Sequence, residues 1–122
     1  MTLTEKTDLV RRSFATYMTA ARADVEAILH PDSTFTSPYD DHIGRDDYFA
    51  RCWPNAGSFE HLQIQQLSPG DDGCFVLYEG RSKRGGSFRN TEYFRFEDGL
   101  IHSVEVFFGL EPGGTPAAPP AR

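Results

Sequence analysis

Two stretches of the chain carry side chains able to move a proton. In Ser37–Trp53, SPYDDHIGRDDYFARCW, the consecutive Asp40, Asp41 and His42 put carboxylates beside an imidazole, a pairing suited to proton transfer near neutral pH. The same residues also suit a polar loop, with an Asp capping a turn and His42 in water. Both readings stand on the sequence alone. A metal site built from Asp40, Asp41, His42, Asp46 and Asp47 is not expected, because donors clustered in sequence need not converge in space. Asp46 and Asp47 have a structural reason of their own as acidic residues at a helix start.

The second stretch is Arg89–Phe96, RNTEYFRF. Strand alternation puts Asn90, Glu92, Phe94 and Phe96 on one face and Arg89, Thr91, Tyr93 and Arg95 on the other. Glu92 therefore falls on the face that Phe94 and Phe96 bury. A carboxyl there costs several kcal/mol unless it is paired, hydrogen-bonded or protonated, so Glu92 either pairs with an arginine or caps backbone amides at the cavity rim, or is poised in a pocket. In Leu100–Gly109, LIHSVEVFFG, the same alternation groups His102, Val104, Val106 and Phe108 against Ile101, Ser103, Glu105 and Phe107. Trp53, Phe94, Val104, Val106 and Phe108 are the expected apolar walls, with Tyr78, Asn90 and His102 as further ligand contacts. Tyr17 needs a partner for its hydroxyl if buried, and a cavity carboxyl would serve. Cys52 has no base in its own segment and reads as a packing residue. His30 and His61 read as surface residues.

The elements that must hold these groups follow from periodicity and turn chemistry. Val10, Phe14, Tyr17, Met18 and Ala21 fall at helical spacing, and Thr2 precedes Glu5 as a capping box, which predicts a helix over 5–21. A short helix after Asp24, carrying Val25, Ile28 and Leu29, should stop at Pro31. A strand over 33–37, a loop PYDDHI and a third helix ended by Pro54 come next. Tyr48, Phe49, Cys52 and Trp53 share one face of that helix. Four alternating runs then follow from Phe59, divided by Asp-Asp-Gly, Gly-Gly and Asp-Gly, and the last three should form an antiparallel meander.

Helices first and strands second predict an α+β domain over 1–109, with a curved antiparallel sheet wrapped around a long N-terminal helix as a cone. LEPGGTPAAPPAR, 110–122, has little to bury and reads as a mobile tail. The chain of 122 residues is long enough for one core without metal or disulfide help. Twelve basic against eighteen acidic residues, a net charge of -6, argue against nucleic acid as a partner. Cys52 and Cys74 show no metal-site spacing. No apolar run is long enough to span a bilayer and the N-terminus lacks a signal-peptide pattern, so a cytoplasmic protein without membrane contact is expected. Ten Phe and five Tyr supply more aromatic area than a plain core requires, which fits a pocket for a small apolar or aromatic molecule. An outward face carrying Tyr93, Ile101 and Phe107 predicts a homodimer through the outer sheet face.

ADVEAILHPDSTFTSP, GRDDYFARCW and TEYFRFEDGLIHSVEVFFG, in this order, resemble the nuclear transport factor 2-like superfamily, with its cystatin-like cone. Within it the chain is similar to the SnoaL-like and ketosteroid-isomerase-like branch, over nearly all of 5–109. The resemblance implies cofactor-free acid/base chemistry beside a carbonyl, as isomerase, cyclase or dehydratase, or a non-catalytic binding or dimerising module. EYFRF matches the isomerase segment that opens on a protonated acid, here Glu92, and Tyr17 lies near the place of the isomerase's oxyanion tyrosine. The isomerase's base, an Asp before Pro, is replaced by Ser37, so Asp40, Asp41 or His42 would have to move the proton. A dehydratase of the scytalone type would draw on His42, Asp41, Tyr17 and Tyr78. The Asp-Arg-Asp pattern of the epoxide hydrolases has no clear counterpart.

Overall fold

The structure, a computed structural model, describes residues 1–111 and Gly113. Helix α1, Leu3–Thr19, starts at the expected capping box: Thr2 accepts from the Glu5 amide while the Glu5 carboxylate accepts from the Thr2 amide. Leu9, Val10 and Phe14 form its buried stripe, each contributing about 2 kcal/mol by leaving water. Lys6 is buried on the same helix, and its ammonium donates to the carbonyls of Gly70 and Asp71 at 2.6 and 2.9 Å. It pins α1 to the turn between two strands.

Helix α2 is shorter than its apolar pattern implied, Arg22–Glu26, and Pro31 does not end it. Pro31 lies inside strand β1, Leu29–Ser37. It is tolerated there because pairing with the neighbouring strand is interrupted between Leu29 and Thr34, so no ladder hydrogen bond needs its missing N–H. The expected loop PYDDHI is a two-residue turn at Pro38 and Tyr39 followed by strand β2, Asp40–Gly44. A strand of such polarity is viable because β2 lies at the sheet edge, where charges discourage further pairing. Helix α3, Arg45–Arg51, and a short 3-10 turn at Trp53–Asn55 lead into β3, Phe59–Pro69.

Strands β4, Cys74–Ser82, β5, Ser87–Glu97, and β6, Leu100–Phe108, complete a six-stranded sheet in the order β2-β1-β6-β5-β4-β3. The run β3 to β6 is an antiparallel meander, and β1 adds to β6 in parallel. The domain is thus α+β, as expected, with α1 packed across β3 and β4 and α3 against β1 and β2. Phe14, Val76, Tyr78, Phe94 and Ile101 meet in the core, with Phe14 edge-on to Tyr78 at 4.7 Å.

Ile101 corrects one expectation. It is fully buried rather than on the outer face, because Arg95 pairs with Ser103 but Phe96 pairs with Ile101, leaving His102 as the extra residue of a bulge. A bulge reverses strand parity, so Ile101 and Val104 both turn inward. Most of the expected tail, 110–122, lies outside the described residues. Among those described, no helix is long and apolar enough to cross a membrane.

Candidate active site

A small cavity opens where α1, β1, α3, β5 and β6 converge, with room of about 50 Å³. Val25, Leu29, Phe35, Phe94 and Val104 give it apolar walls, and Ser13, Ser33, Thr34, Tyr48 and Glu92 supply its polar atoms. Glu92 and Tyr48 are the ionisable groups of this lining. No cation is among them.

Glu92 reaches the cavity from the inner face of β5. Its neighbours across the strands are Val76 and Val106, both buried, so water is excluded from either side. Among the described residues Glu92 has no ion pair. Burial pushes its carboxyl up from the ordinary value to about 7, against the opposing effect of a hydrogen bond from Tyr78. The residue keeps partial exposure, which we assign to the cavity it lines.

Tyr78 stands on β4 and is 5% exposed. Asn90 Nδ2 donates to its hydroxyl oxygen at 3.1 Å, and the Gly109 amide donates to Asn90 Oδ1 at 3.0 Å. Tyr48 comes from α3, its ring packed on Phe35, Phe49 and Trp53. Its hydroxyl makes no hydrogen bond among the described residues. Burial first, then the proximity of Tyr17 and Glu92, raises its pKa well above the ordinary tyrosine range. Burial likewise raises that of Tyr78. Both phenols are therefore neutral donors at physiological pH.

The structure brings only part of the sequence-predicted set together. Glu92, Phe94 and Val104 line the cavity, Tyr78 and Asn90 stand behind Glu92, and Val106 is buried beside it. Asp40, Asp41 and His42 do not line it. Asp40 is buried, 2.8 Å from Arg51 and 3.9 Å from the Cys52 thiol, tying β2 to the end of α3. Asp41 and His42 pair with each other at 2.5 Å on an exposed edge, and His42 holds a φ of 52°.

Tyr17 donates to the Cys52 carbonyl at 3.2 Å. Trp53 supports Tyr17 and Tyr48 by ring contacts without lining the cavity. Phe108 is 44% exposed and packs on Tyr39 rather than forming a wall, because β6 has run past the cavity by its last residue.

His102, the extra residue of the bulge, does not line the cavity; it lies 3.1 Å from Glu97 and edge-on to His30. His30, Glu97 and Asp98 are the metal-ligand types that lie close enough to share an ion among the described residues. However, His30 Nδ1 accepts from the Asp32 amide at 3.0 Å. The neutral ring then carries its proton on Nε2, which faces Asp98 at 3.4 Å and is spent as a donor.

Tyr48 lines the cavity, whereas the sequence alone assigns it only a place on the apolar face of the third helix. It is the one hydroxyl-bearing residue on the apolar face of α3, which is the signal that could have singled it out.

Solved structures share the whole architecture at low identity. A "putative ketosteroid isomerase" from Kribbella flavida DSM 17836 is 21% identical, with a TM-score of 0.78, covering 98% of this chain and 86% of that one. AclR, a "putative hydroxylase" from Streptomyces galilaeus, is 14% identical with a TM-score of 0.73, covering 91% and 93%. A de novo designed protein with a curved β-sheet is 12% identical with a TM-score of 0.77, covering 93% and 90%. Such likeness establishes fold alone, since natural and designed chains share it. Among curated proteins none matches the sequence. The family model described as SnoaL-like domain matches residues 10–104, and with the cone and its inward-facing acid already in view, the chain belongs to the SnoaL-like domain family.

Proposed function

We propose that the protein catalyses cofactor-free proton transfer beside a carbonyl, with Glu92 as the group that moves the proton and Tyr48 as the donor to the developing enolate oxygen. The supporting observation is Glu92 itself: inward, flanked by valines, without a cation, and with a pKa of about 7. An acid poised there is present in both forms at neutral pH, which favours taking up and returning a proton. The α C–H bond of the ligand breaks, its electrons pass to the carbonyl as an enolate, and the proton goes to the Glu92 carboxylate. Glu92 then either trades that proton with solvent and delivers the solvent-derived one to the same carbon, which is exchange, or returns the proton to another carbon of the conjugated enolate, which is isomerisation. Tyr48 donates to the oxygen where charge develops.

The absence of Asp40, Asp41 and His42 from the lining is why the moving proton is assigned to Glu92 here. The cavity, well below the few hundred Å³ of a site that encloses a drug-sized ligand, takes the reacting end of a small, neutral, apolar or aromatic ketone. The lining offers no cation to a carboxylate or phosphate.

Proton NMR in D₂O, following loss of α-proton signal from aliphatic and aryl ketones, tests this reading. Exchange should exceed that of buffer and vanish in Glu92→Gln. Exchange unchanged by that substitution, or absent across the panel, sinks it. Binding of such ketones without exchange would favour the non-catalytic module, a reading supported by the single carboxyl in the lining.

A second copy of the chain is the partner we assign to the outer sheet face. Phe75, Leu77 and Phe107 are exposed there, and in register they run beside Tyr93 and Thr91. Arg95 and Glu105 lie on the same face, so two copies related by a two-fold axis can match opposite charges around an apolar centre.

A further inference from the structure

We infer that Gly109, Asn90 and Tyr78 form a hydrogen-bond relay of fixed direction that presents a proton donor to Glu92, which makes Asn90 and Tyr78 positioning residues. The consequence for catalysis rests on the proton-transfer reading above; the relay itself does not.

The direction is set at the backbone end. The Gly109 amide can only donate, and it donates to Asn90 Oδ1 at 3.0 Å. The Asn90 side chain is thereby oriented with its NH₂ towards Tyr78, to whose oxygen it donates at 3.1 Å. Having accepted there, the phenol has its own proton to give, and Glu92 lies diagonally beside it on the inner sheet face, two residues along β5 from the Asn90 that pairs with Tyr78, close enough for the phenol to oppose the rise of its pKa. Asn90 and Tyr78 are 7% and 5% exposed, so water hardly competes for either. Gly109 has a steric reason for its identity, because a Cβ there would run into the Arg89 carbonyl oxygen. Only glycine brings that amide so close to β5.

The ionisable groups facing Glu92 are phenols: Tyr78 from β4, Tyr48 from α3, and Tyr17 from α1 near both. None is a cation. The carboxylate form of Glu92 therefore depends on hydrogen bonds for its stabilisation in the cavity. The relay supplies one with its proton pointing the right way, and so keeps part of Glu92 ionised at neutral pH as a base.

Carboxyl-carbon NMR titration of Glu92 in the ligand-free protein tests the relay, comparing wild type with Tyr78→Phe, Asn90→Leu and Gly109→Ala. Tyr78→Phe removes the donor and should move the midpoint up by about one pH unit. Asn90→Leu should move it in the same direction by less, since the phenol survives but is no longer oriented, and Gly109→Ala should follow Asn90→Leu. Amide spectra identify any variant that loses its fold, and the remaining variants decide. A midpoint unmoved in folded Tyr78→Phe, or in folded Asn90→Leu, overturns the relay.

The experiment needs no substrate and reads a displacement from whatever the wild-type value is. Failure of the relay is therefore distinct from failure of the exchange assay. If both hold, the pH profile of exchange in Tyr78→Phe moves with the midpoint, which a purely structural role would not produce.

Discussion

Tyr78 and Glu92 stand on adjacent strands of the inner sheet face, and the phenol's hydrogen bond opposes the burial that drives the carboxyl towards its neutral form. Desolvation is the larger effect, so Glu92 settles at about 7 rather than at the value of an exposed glutamate. A single acid thus sits where a small change in surroundings alters its charge at physiological pH. The chemistry available to the cavity follows from that balance rather than from a pair of separate acid and base residues.

Glu92 should make stability depend on pH in a sense opposite to an ion-paired carboxylate. Its folded-state pKa lies above the unfolded one, so its contribution is fully present below about 4.5 and is lost as pH rises towards about 7. The difference amounts to at most about 3 kcal/mol. Glu92→Gln should therefore be more stable than wild type at pH 8 and nearly equal to it at pH 4. Urea unfolding at the two pH values checks this, and equal effects at both would show that burial does not raise the pKa.

Tyr48→Phe should leave the fold intact, because the ring keeps its packing on Phe35, Phe49 and Trp53 and the hydroxyl gives up no hydrogen bond among the described residues. Removing a donor to a developing oxyanion typically costs about 10²–10³ in rate. The expected signature is a fall of that order in ketone exchange with an unchanged thermal midpoint. A rate within a few-fold of wild type would remove Tyr48 from the mechanism.

The inward position of Glu92 was legible because β5 alternates without interruption through Asn90, Glu92 and Phe94. The same rule misplaced Ile101 and His102, since nothing in LIHSVEVF marks the bulge opposite Arg95 and Phe96. Asp40, Asp41 and His42 looked chemical because their types are chemical, yet the edge position of β2 and the Arg51 partner of Asp40 are tertiary facts. Tyr48 was placed on the correct helix face. Only the assembled cavity shows that its hydroxyl shares a lining with Glu92.

Phe94 should be the costliest wall to remove. It is 1% exposed, touches Phe14 and lines the cavity beside Glu92. Phe94→Ala should lose about 3–5 kcal/mol through lost burial and the void left behind, measured by chemical denaturation. The enlarged space should also admit water to Glu92 and lower its NMR midpoint towards the ordinary value. A destabilised variant with an unmoved midpoint would mean that Val76 and Val106 alone account for the desolvation.

Phe107 offers a test of the assembly that spares the cavity. Its side chain is 53% exposed on the outer face, opposite Thr91 and in line with Leu77, so a charge there costs the monomer little. In a two-fold dimer each copy would bury that charge near the centre, where an unpaired carboxylate is expensive. Sedimentation velocity at tens of micromolar should show a dimer for wild type, and Phe107→Asp should weaken association at least tenfold with the thermal unfolding of dilute protein unchanged. A wild-type chain that stays monomeric at that concentration rules out the second copy as partner. The exposed row Phe75, Leu77 and Phe107 would then be an apolar patch that two chains do not cover.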